Sequence, residues 1–408
     1  MIIKFFFFSK ENSTLISVRD KIKNVFLTFL LCSSLLSQEE KPLFLIENPL
    51  EGKKILMNKG CINCHSVYGA GGKLAPDLSL KGKAYTFYEL AGLFLSHSPQ
   101  MVEALELRGY EWPIFTPEEM SELFGYLYLL NYFEEPGEFH KGKIIFQNVC
   151  IKCHSLQGKG GKRGPPLDAY ANYVSPIQIA VGLWNHGPKM ARALKSEGLT
   201  IPFLTGEDIK DILAYIRGVS KKSESPWFIT VGNPLLGEKI FKDKKCTLYH
   251  SVQGKGGKIA SDIKKITSQN VSDIVALFWN HGMTMWKEME KIGFPFPKFT
   301  QEEMSNIVAY LYFVKYFDEP GDPLKGEDIF VSKGCVHCHE KGKVGPELVG
   351  EVLKSPFHFA SSTWNHIPLM KALSEQRGIP WPRFEGNEMR DLVAYLRKKY
   401  KEENEKNK

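Results

Sequence analysis

The sequence predicts an all-α chain of four tandem small domains, arranged as a duplicated two-domain unit. Three observations lead there. The motif Cys-x-x-Cys-His occurs at Cys61–His65, Cys150–His154 and Cys335–His339, and Cys246-Thr247-Leu248-Tyr249-His250 is a fourth copy without its second cysteine. The motif histidines stand 89, 96 and 89 residues apart, the size of one small domain each. Repeat ends agree alternately: Tyr126 through Gly137 reads like Tyr310 through Gly321, whereas repeats 2 and 4 close in Ala214–Arg217 and Ala394–Arg397. The domains are expected at 46–137, 138–222, 232–321 (the degenerate copy) and 322–400.

Residues 1–37 read as a signal segment. Lys21 and Lys23 flank a short apolar run from Val25 to Leu36; small residues at Ser33, Ser34 and Ser37 then precede acidic Glu39 and Glu40. That order fits export with cleavage near Ser37, and an uncleaved membrane anchor is the alternative. Cys32 lies inside the apolar run and is set aside as part of the signal.

Each repeat opens on a short helix. A glycine is expected to begin it, with apolar residues three and four positions on: Gly52 with Ile55 and Leu56, Gly142 with Ile145 and Phe146, Gly237 with Ile240 and Phe241, Gly326 with Ile329 and Phe330. The cysteine motif follows. Next come Gly-rich loops at Gly69–Gly72, Gly158–Gly161 and Gly254–Gly257, and proline turns at Pro76, Pro165 and Pro346.

His-x-Pro-x-Met comes next, at His97–Met101, His186–Met190 and His366–Met370; the third copy reads His281-Gly282-Met283-Thr284-Met285. Trp-Asn precedes the histidine at Trp184, Trp279 and Trp364, where repeat 1 has Leu95-Ser96. These tryptophans are expected to wall a cofactor pocket, and Trp112-Pro113 and Trp381-Pro382 to pack at its edge.

An amphipathic helix closes each repeat. Thr116, Thr205 and Thr300 are candidate N-caps with an acid three positions on, at Glu119, Asp208 and Glu303. The apolar stripe runs through Met120, Leu123 and Leu127, or Met304, Ile307 and Leu311, with Tyr126, Tyr215, Tyr310 or Tyr395 mid-helix. The short Glu-Glu-Pro-Gly links are expected to hold the first domain of each unit against the second, and the polar Ser220–Pro226 stretch to be the hinge between halves.

Cys-x-x-Cys-His is the attachment sequence for c-type haem. Two thiols one helical turn apart add to the two porphyrin vinyl groups, and the next histidine aims a ring nitrogen at the iron. Disulfides, zinc sites and thiol redox pairs also use Cys-x-x-Cys, but three phased copies ending in histidine argue against them. The attachment residues are therefore Cys61, Cys64, Cys150, Cys153, Cys246, Cys335 and Cys338, and the proximal ligands His65, His154, His250 and His339.

Met101, Met190, Met285 and Met370 lie 36, 36, 35 and 31 residues after those histidines. The whole pattern, over residues 46–400, resembles the class I c-type cytochromes, repeated as a tandem multihaem chain. That resemblance implies small all-α domains in which an N-terminal helix crosses a C-terminal one around haem. It also implies Met101, Met190, Met285 and Met370 as sixth ligands. A second reading stays open: His97, His186, His281 and His366 stand four positions earlier on the same helix face.

Repeat 3 departs from the pattern at Tyr249, Ser261 and Met283. It either holds haem through one thioether or serves as a spacer, so three or four haem c groups are expected. With both axial positions filled, the iron changes charge and binds no substrate. The expectation is an electron carrier and not an enzyme, periplasmic or otherwise exported. Its partners would be redox proteins or a membrane respiratory complex, with membrane association left open. The alternative is the haem subunit of an oxidoreductase or peroxidase with repeat 3 as an open site.

Composition agrees with a globular chain, at 43% hydrophobic and 24% charged. The formal charge of +7 shrinks once residues 1–37 are removed, because they hold five Lys/Arg and two acids. Haem propionates would lower it further, so charge gives no case for nucleic-acid binding.

Overall fold

Glycine, apolar pair, cysteine turn, long helix and capped helix recur in that order through the computed structural model. It describes residues 48–79, 85–132, 136–168, 175–220, 231–265, 270–340, 343–348 and 350–406. The signal segment, Cys32 and nearly all of the proposed hinge lie outside them. The chain divides into Met1–Phe44, also outside the described residues, and Leu45–Lys408, which is the subject below. The fold is all-α apart from two-residue hairpins, and no helix among the described residues is long and apolar enough to cross a membrane.

A short helix, a long helix and a closing helix recur four times: α1 Glu51–Asn58, α2 Phe87–Glu106 and α3 Pro117–Leu129; α4 Phe139–Asn148, α5 Pro176–Ser196 and α6 Gly206–Val219; α7 Pro234–Asp243, α8 Val271–Lys291 and α9 Gln301–Val314; α10 Pro323–Ser332, α11 Pro356–Gln376 and α12 Glu388–Lys406. The capping boxes expected at Thr116, Thr205 and Thr300 all form. Thr86 and Ser175 add two more at the starts of α2 and α5. Each box satisfies two backbone N–H groups that the first turn leaves without a helical partner.

Within each cluster the short helix crosses the closing helix. The repeated glycine does not begin the short helix, as expected, but lies inside it at the crossing. A Cβ on Gly52, Gly142, Gly237 or Gly326 would fall 1.8–2.0 Å from a backbone oxygen of Glu122, Asp211, Asn306 or Asp391. The backbones therefore touch, and in repeats 2–4 the aromatic four residues on from the glycine seals the seam, where repeat 1 has Leu56. Phe146 meets Tyr215 at 5.4 Å, Phe241 meets Tyr310 at 5.5 Å, and Phe330 meets Tyr395 at 5.6 Å between ring centroids.

The link glycines lie on the following repeat, where a Cβ on Gly137 would fall 2.2 Å from the Lys210 backbone and one on Gly321 2.5 Å from the Arg390 carbonyl oxygen, but the long-helix contacts between repeats follow other pairs. Part of the first link, residues 133–135, lies outside the described residues. Helix α2 packs on α11 and α12, joining repeats 1 and 4, while α5 packs on α8, joining repeats 2 and 3. Repeats 1 and 3 meet through tyrosines. Tyr128 stacks on Tyr316 at 4.0 Å, and the Tyr312 hydroxyl donates to the Tyr128 carbonyl at 2.7 Å. At the rim of that contact Thr86 Oγ1 donates to Asp318 at 2.6 Å, as does the Tyr88 amide at 3.1 Å.

Candidate functional site

The cysteine motif forms one tight turn in every repeat. Cys61–Asn63, Cys150–Lys152, Cys246–Leu248 and Cys335–His337 are 3₁₀ turns. Each histidine amide closes its turn on the carbonyl of the leading cysteine, four residues back, at 2.9–3.0 Å. The degenerate copy has the same backbone, so replacing the second cysteine by Tyr249 leaves the turn intact.

The histidine rings are held alike. Nδ1 of His65, His154, His250 and His339 donates to the carbonyl of Pro76, Pro165, Ser261 and Pro346, each at 2.9 Å. A carbonyl only accepts, so Nδ1 carries the proton and Nε2 keeps its lone pair for a metal. Since the acceptor is main chain, Ser261 serves as well as proline. In repeat 2 a Cβ on Gly164 would lie 2.3 Å from the His154 ring, so glycine there lets the loop lie against the imidazole.

In repeats 1–3 that loop is pinned by a two-residue hairpin, with pairs such as Ser66 with Gly71. Its turn needs positive φ at Tyr68 and Gly69 and at their counterparts, Gln157 with Gly158 and Gln253 with Gly254. Asp77 then accepts from Ser66 Oγ at 2.7 Å and the Gly69 amide at 2.7 Å, and Asp262 does the same in repeat 3 with Ser251 at 2.8 Å and Gly254 at 2.7 Å. The Ser79 hydroxyl first, and then the donors from Ser66 and Gly69, hold the Asp77 carboxyl well below its usual range.

None of the seven described cysteines is in a disulfide. Burial pushes the leading thiols up, to about 11 for Cys61, Cys246 and Cys335 and about 12 for Cys150. They are neutral thiols at pH 7, unlike the low-pKa cysteine of a thiol redox pair.

The His-x-Pro-x-Met residues lie mid-helix, on α2, α5, α8 and α11, with Met101, Met190, Met285 and Met370 all half-buried. In repeat 3 the His250 and His281 rings lie near each other, with centroids 6.3 Å apart and planes tilted at 60°. Burial first, and then the charge of His250, lower the pKa of His281, which favours the neutral imidazole that binds metals. Burial lowers His97 too; its bond to the Leu93 carbonyl opposes this and the charge of His65 adds to it. The Tyr249 hydroxyl is buried without a hydrogen-bond partner.

The tryptophans expected to wall a pocket instead join repeats. Trp184 Nε1 donates to the Pro297 carbonyl and Trp279 Nε1 to that of Pro202, both at 2.7 Å. Beside them Asn185 and Asn280 each bracket one residue of the opposite repeat. The Asn185 amide donates to the Phe299 carbonyl at 2.8 Å and accepts from its N–H at 3.0 Å; Asn280 does this to Leu204 at 2.6 and 3.0 Å. Trp364 and Asn365 repeat the pattern on Pro113 and Phe115. Trp112 and Trp381, expected at a haem edge, belong to the same junction: Trp112 stacks on Trp364 at 4.5 Å, and Trp381 donates to the Leu95 carbonyl. Sequence reading missed this because a buried Trp-Asn pair looks the same beside a cofactor as beside a loop. The one available signal was the Pro-x-aromatic or Pro-x-Leu segment before each closing helix, recurring in phase with the Trp-Asn pairs.

A cytochrome c family model matches residues 139–220, the second repeat. Two curated proteins described as Cbb3-type cytochrome c oxidase subunit FixP, from Sinorhizobium medicae (strain WSM419) and Rhizobium meliloti (strain 1021), are each 30% identical over 114 residues. The match takes in 25% of this chain and 37% of each relative, so the chain spans little more than a third of their length. No solved structure matches. The chain thus contains a cytochrome c-like domain, and thiol pairs beside an Nε2-free imidazole are a donor set that fits covalent haem.

Proposed function

We propose that this chain is an exported multihaem c-type cytochrome of four tandem cytochrome c-like domains, at 46–137, 138–222, 232–321 and 322–400, that passes electrons between respiratory redox partners. One observation carries the reading: the Cys-led turn with its carbonyl-bound histidine recurs in all four repeats, the degenerate one included. Cys61 with Cys64, Cys150 with Cys153, and Cys335 with Cys338 each take one haem as thioethers. His65, His154 and His339 would hold the iron through Nε2, and the half-buried Met101, Met190 and Met370 would supply its thioether ligand. Bound haem supplies a ferrous–ferric couple, and a thioether opposite histidine favours the ferrous state.

The chain's own part is positional. The carbonyls of Pro76, Pro165 and Pro346 fix the imidazole tautomer and angle, and the capped, glycine-crossed helices keep the pocket stiff. Repeats 1 with 4 and 2 with 3 share packed long helices, so carriers would meet in those pairs, of which only the second is consecutive in the chain. The matched relatives are described as oxidase subunits, which supports a membrane respiratory complex as partner, with the carrier itself non-catalytic. Nothing in the site favours nucleic acid.

Intact mass of the exported protein tests this. The expected result is the polypeptide cut near Ser37 plus three or four haems. A colourless protein with free or disulfide-bonded pairs would end the proposal.

A further inference from the structure

Repeat 3 keeps the imidazole geometry of its neighbours and alters what lies around it. His250 Nδ1 is committed to the Ser261 carbonyl at 2.9 Å, so Nε2 is its available donor. Across from it, the His281 ring centre lies 6.3 Å away. Two imidazoles on opposite sides of one metal, each bonded at about 2.0–2.1 Å, have ring centres about 6–6.5 Å apart. The pair already stands at the separation that axial ligation of one ion needs.

Two further departures single out this repeat. Helix α8 has Met283 where α2, α5 and α11 carry Pro99, Pro188 and Pro368, so His281 sits in an uninterrupted helix. One of the two thiols is replaced by Tyr249, and that buried hydroxyl has no partner. With half the covalent tether gone, retention of the cofactor rests more heavily on the axial bonds.

We propose that repeat 3 holds its own haem through a single thioether at Cys246, with His250 and His281 as the two axial ligands and Met285 not bound to iron. In forming the thioether, the Cys246 sulfur adds to one vinyl carbon and the thiol proton goes to the other; the second vinyl group stays intact. Two imidazoles stabilise ferric iron relative to imidazole plus thioether, so this centre has the lowest potential of the four. Repeat 3 is then an electron-holding step and neither a spacer nor an open site. The inference rests on the haem reading above.

The experiment uses the full exported protein, its His281→Ala and Met285→Ala variants, and a potentiometric titration of the unaltered protein. Four haems by intact mass are expected, with one quarter of the haem titrating below the rest. Spin state, read by electron paramagnetic resonance, should change from low to high for one haem in four in His281→Ala and stay low in Met285→Ala. Three haems, with repeats 1, 2 and 4 filled, would overturn this inference and leave the proposed function standing. So would the reverse response of the two variants. Complete absence of haem would instead end the broader reading. Should His281→Ala fail to accumulate, the titration decides alone: four haems without a separate low-potential quarter overturn the inference.

Discussion

Trp381 donates its indole N–H to the carbonyl oxygen of Leu95 at 2.7 Å, and Pro99, four residues after Leu95, is the reason that carbonyl is open. Proline has no N–H, so a mid-helix proline frees the acceptor four residues back. The same arrangement runs the other way between these repeats: Pro368 frees the Trp364 carbonyl, which accepts from Trp112 at 3.0 Å. In repeat 3 the helix has Met283, and the residue of repeat 2 in the position of Trp112 is Ile201, which has no side-chain donor. The proline does not track an indole donor in every repeat, since Pro188 frees the Trp184 carbonyl while repeat 3 presents Phe296 at the position of Trp112.

This relation makes a coupled pair. Trp381→Phe should cost about 0.5–1.5 kcal/mol, the worth of one hydrogen bond, because the Leu95 carbonyl keeps the Ser98 hydroxyl at 2.8 Å as its other donor. In a Pro99→Ala background residue 99 regains an N–H for that carbonyl, and the same change should cost much less. A double-mutant cycle by chemical denaturation measures the coupling. Equal costs in the two backgrounds would refute the account.

Asn185 makes two hydrogen bonds to Phe299, whereas Ser96 at the matching place in repeat 1 makes one to the Phe384 amide, at 2.8 Å. Asn185→Ala should therefore destabilise by about 1–3 kcal/mol and Ser96→Ala by about half that. Hydrogen exchange should rise at the junction of repeats 2 and 3 in the first variant and of repeats 1 and 4 in the second.

Gly142→Ala should cost about 3 kcal/mol or more, since its methyl would fall 1.8 Å from the Asp211 carbonyl oxygen and force two backbones apart. Gly109→Ala meets no atom within 4 Å but has φ of +69°, so it should cost only about 1–2 kcal/mol of backbone strain. Thermal melts of the two variants should rank in that order.

Burial pushes the Asp318 carboxyl up to about 6 against the bonds from Thr86 and Tyr88 and the attraction of Arg390, with Glu89 adding repulsion. A carboxyl raised on folding stabilises the fold fully below its unfolded pKa, near 3.9, and loses that contribution as pH rises through its folded pKa. Stability should therefore decline between about pH 4 and 6 by on the order of 2 kcal/mol, discounting for solvent at this half-buried group. Asp318→Asn should flatten that part of the pH–stability curve, and an unchanged slope would reassign the effect.

Much was legible in the sequence because it is local. Caps at Thr116, Thr205 and Thr300 act within one turn, and the cysteine turns depend on five consecutive residues. The ring-orienting carbonyl was not read from the sequence, where only a proline turn was seen, because a main-chain acceptor leaves no side-chain signature and Ser261 supplies it as well as proline. The roles of Trp184, Trp279 and Trp364 were not legible. Their acceptors lie 77–251 residues away, and an indole's burial does not say what buries it. The glycine at each helix crossing was noticed, but only the partner backbone explains it.

The amino-acid order alone determined the helices, their caps, the four cysteine-led turns and the histidine after each, because hydrogen bonding within a few residues sets them. Tertiary structure decided which repeat lies against which, and that His281 comes to lie near His250. Those outcomes depend on side chains far apart in the chain meeting with matched shape and unpaired donors, which no local pattern encodes.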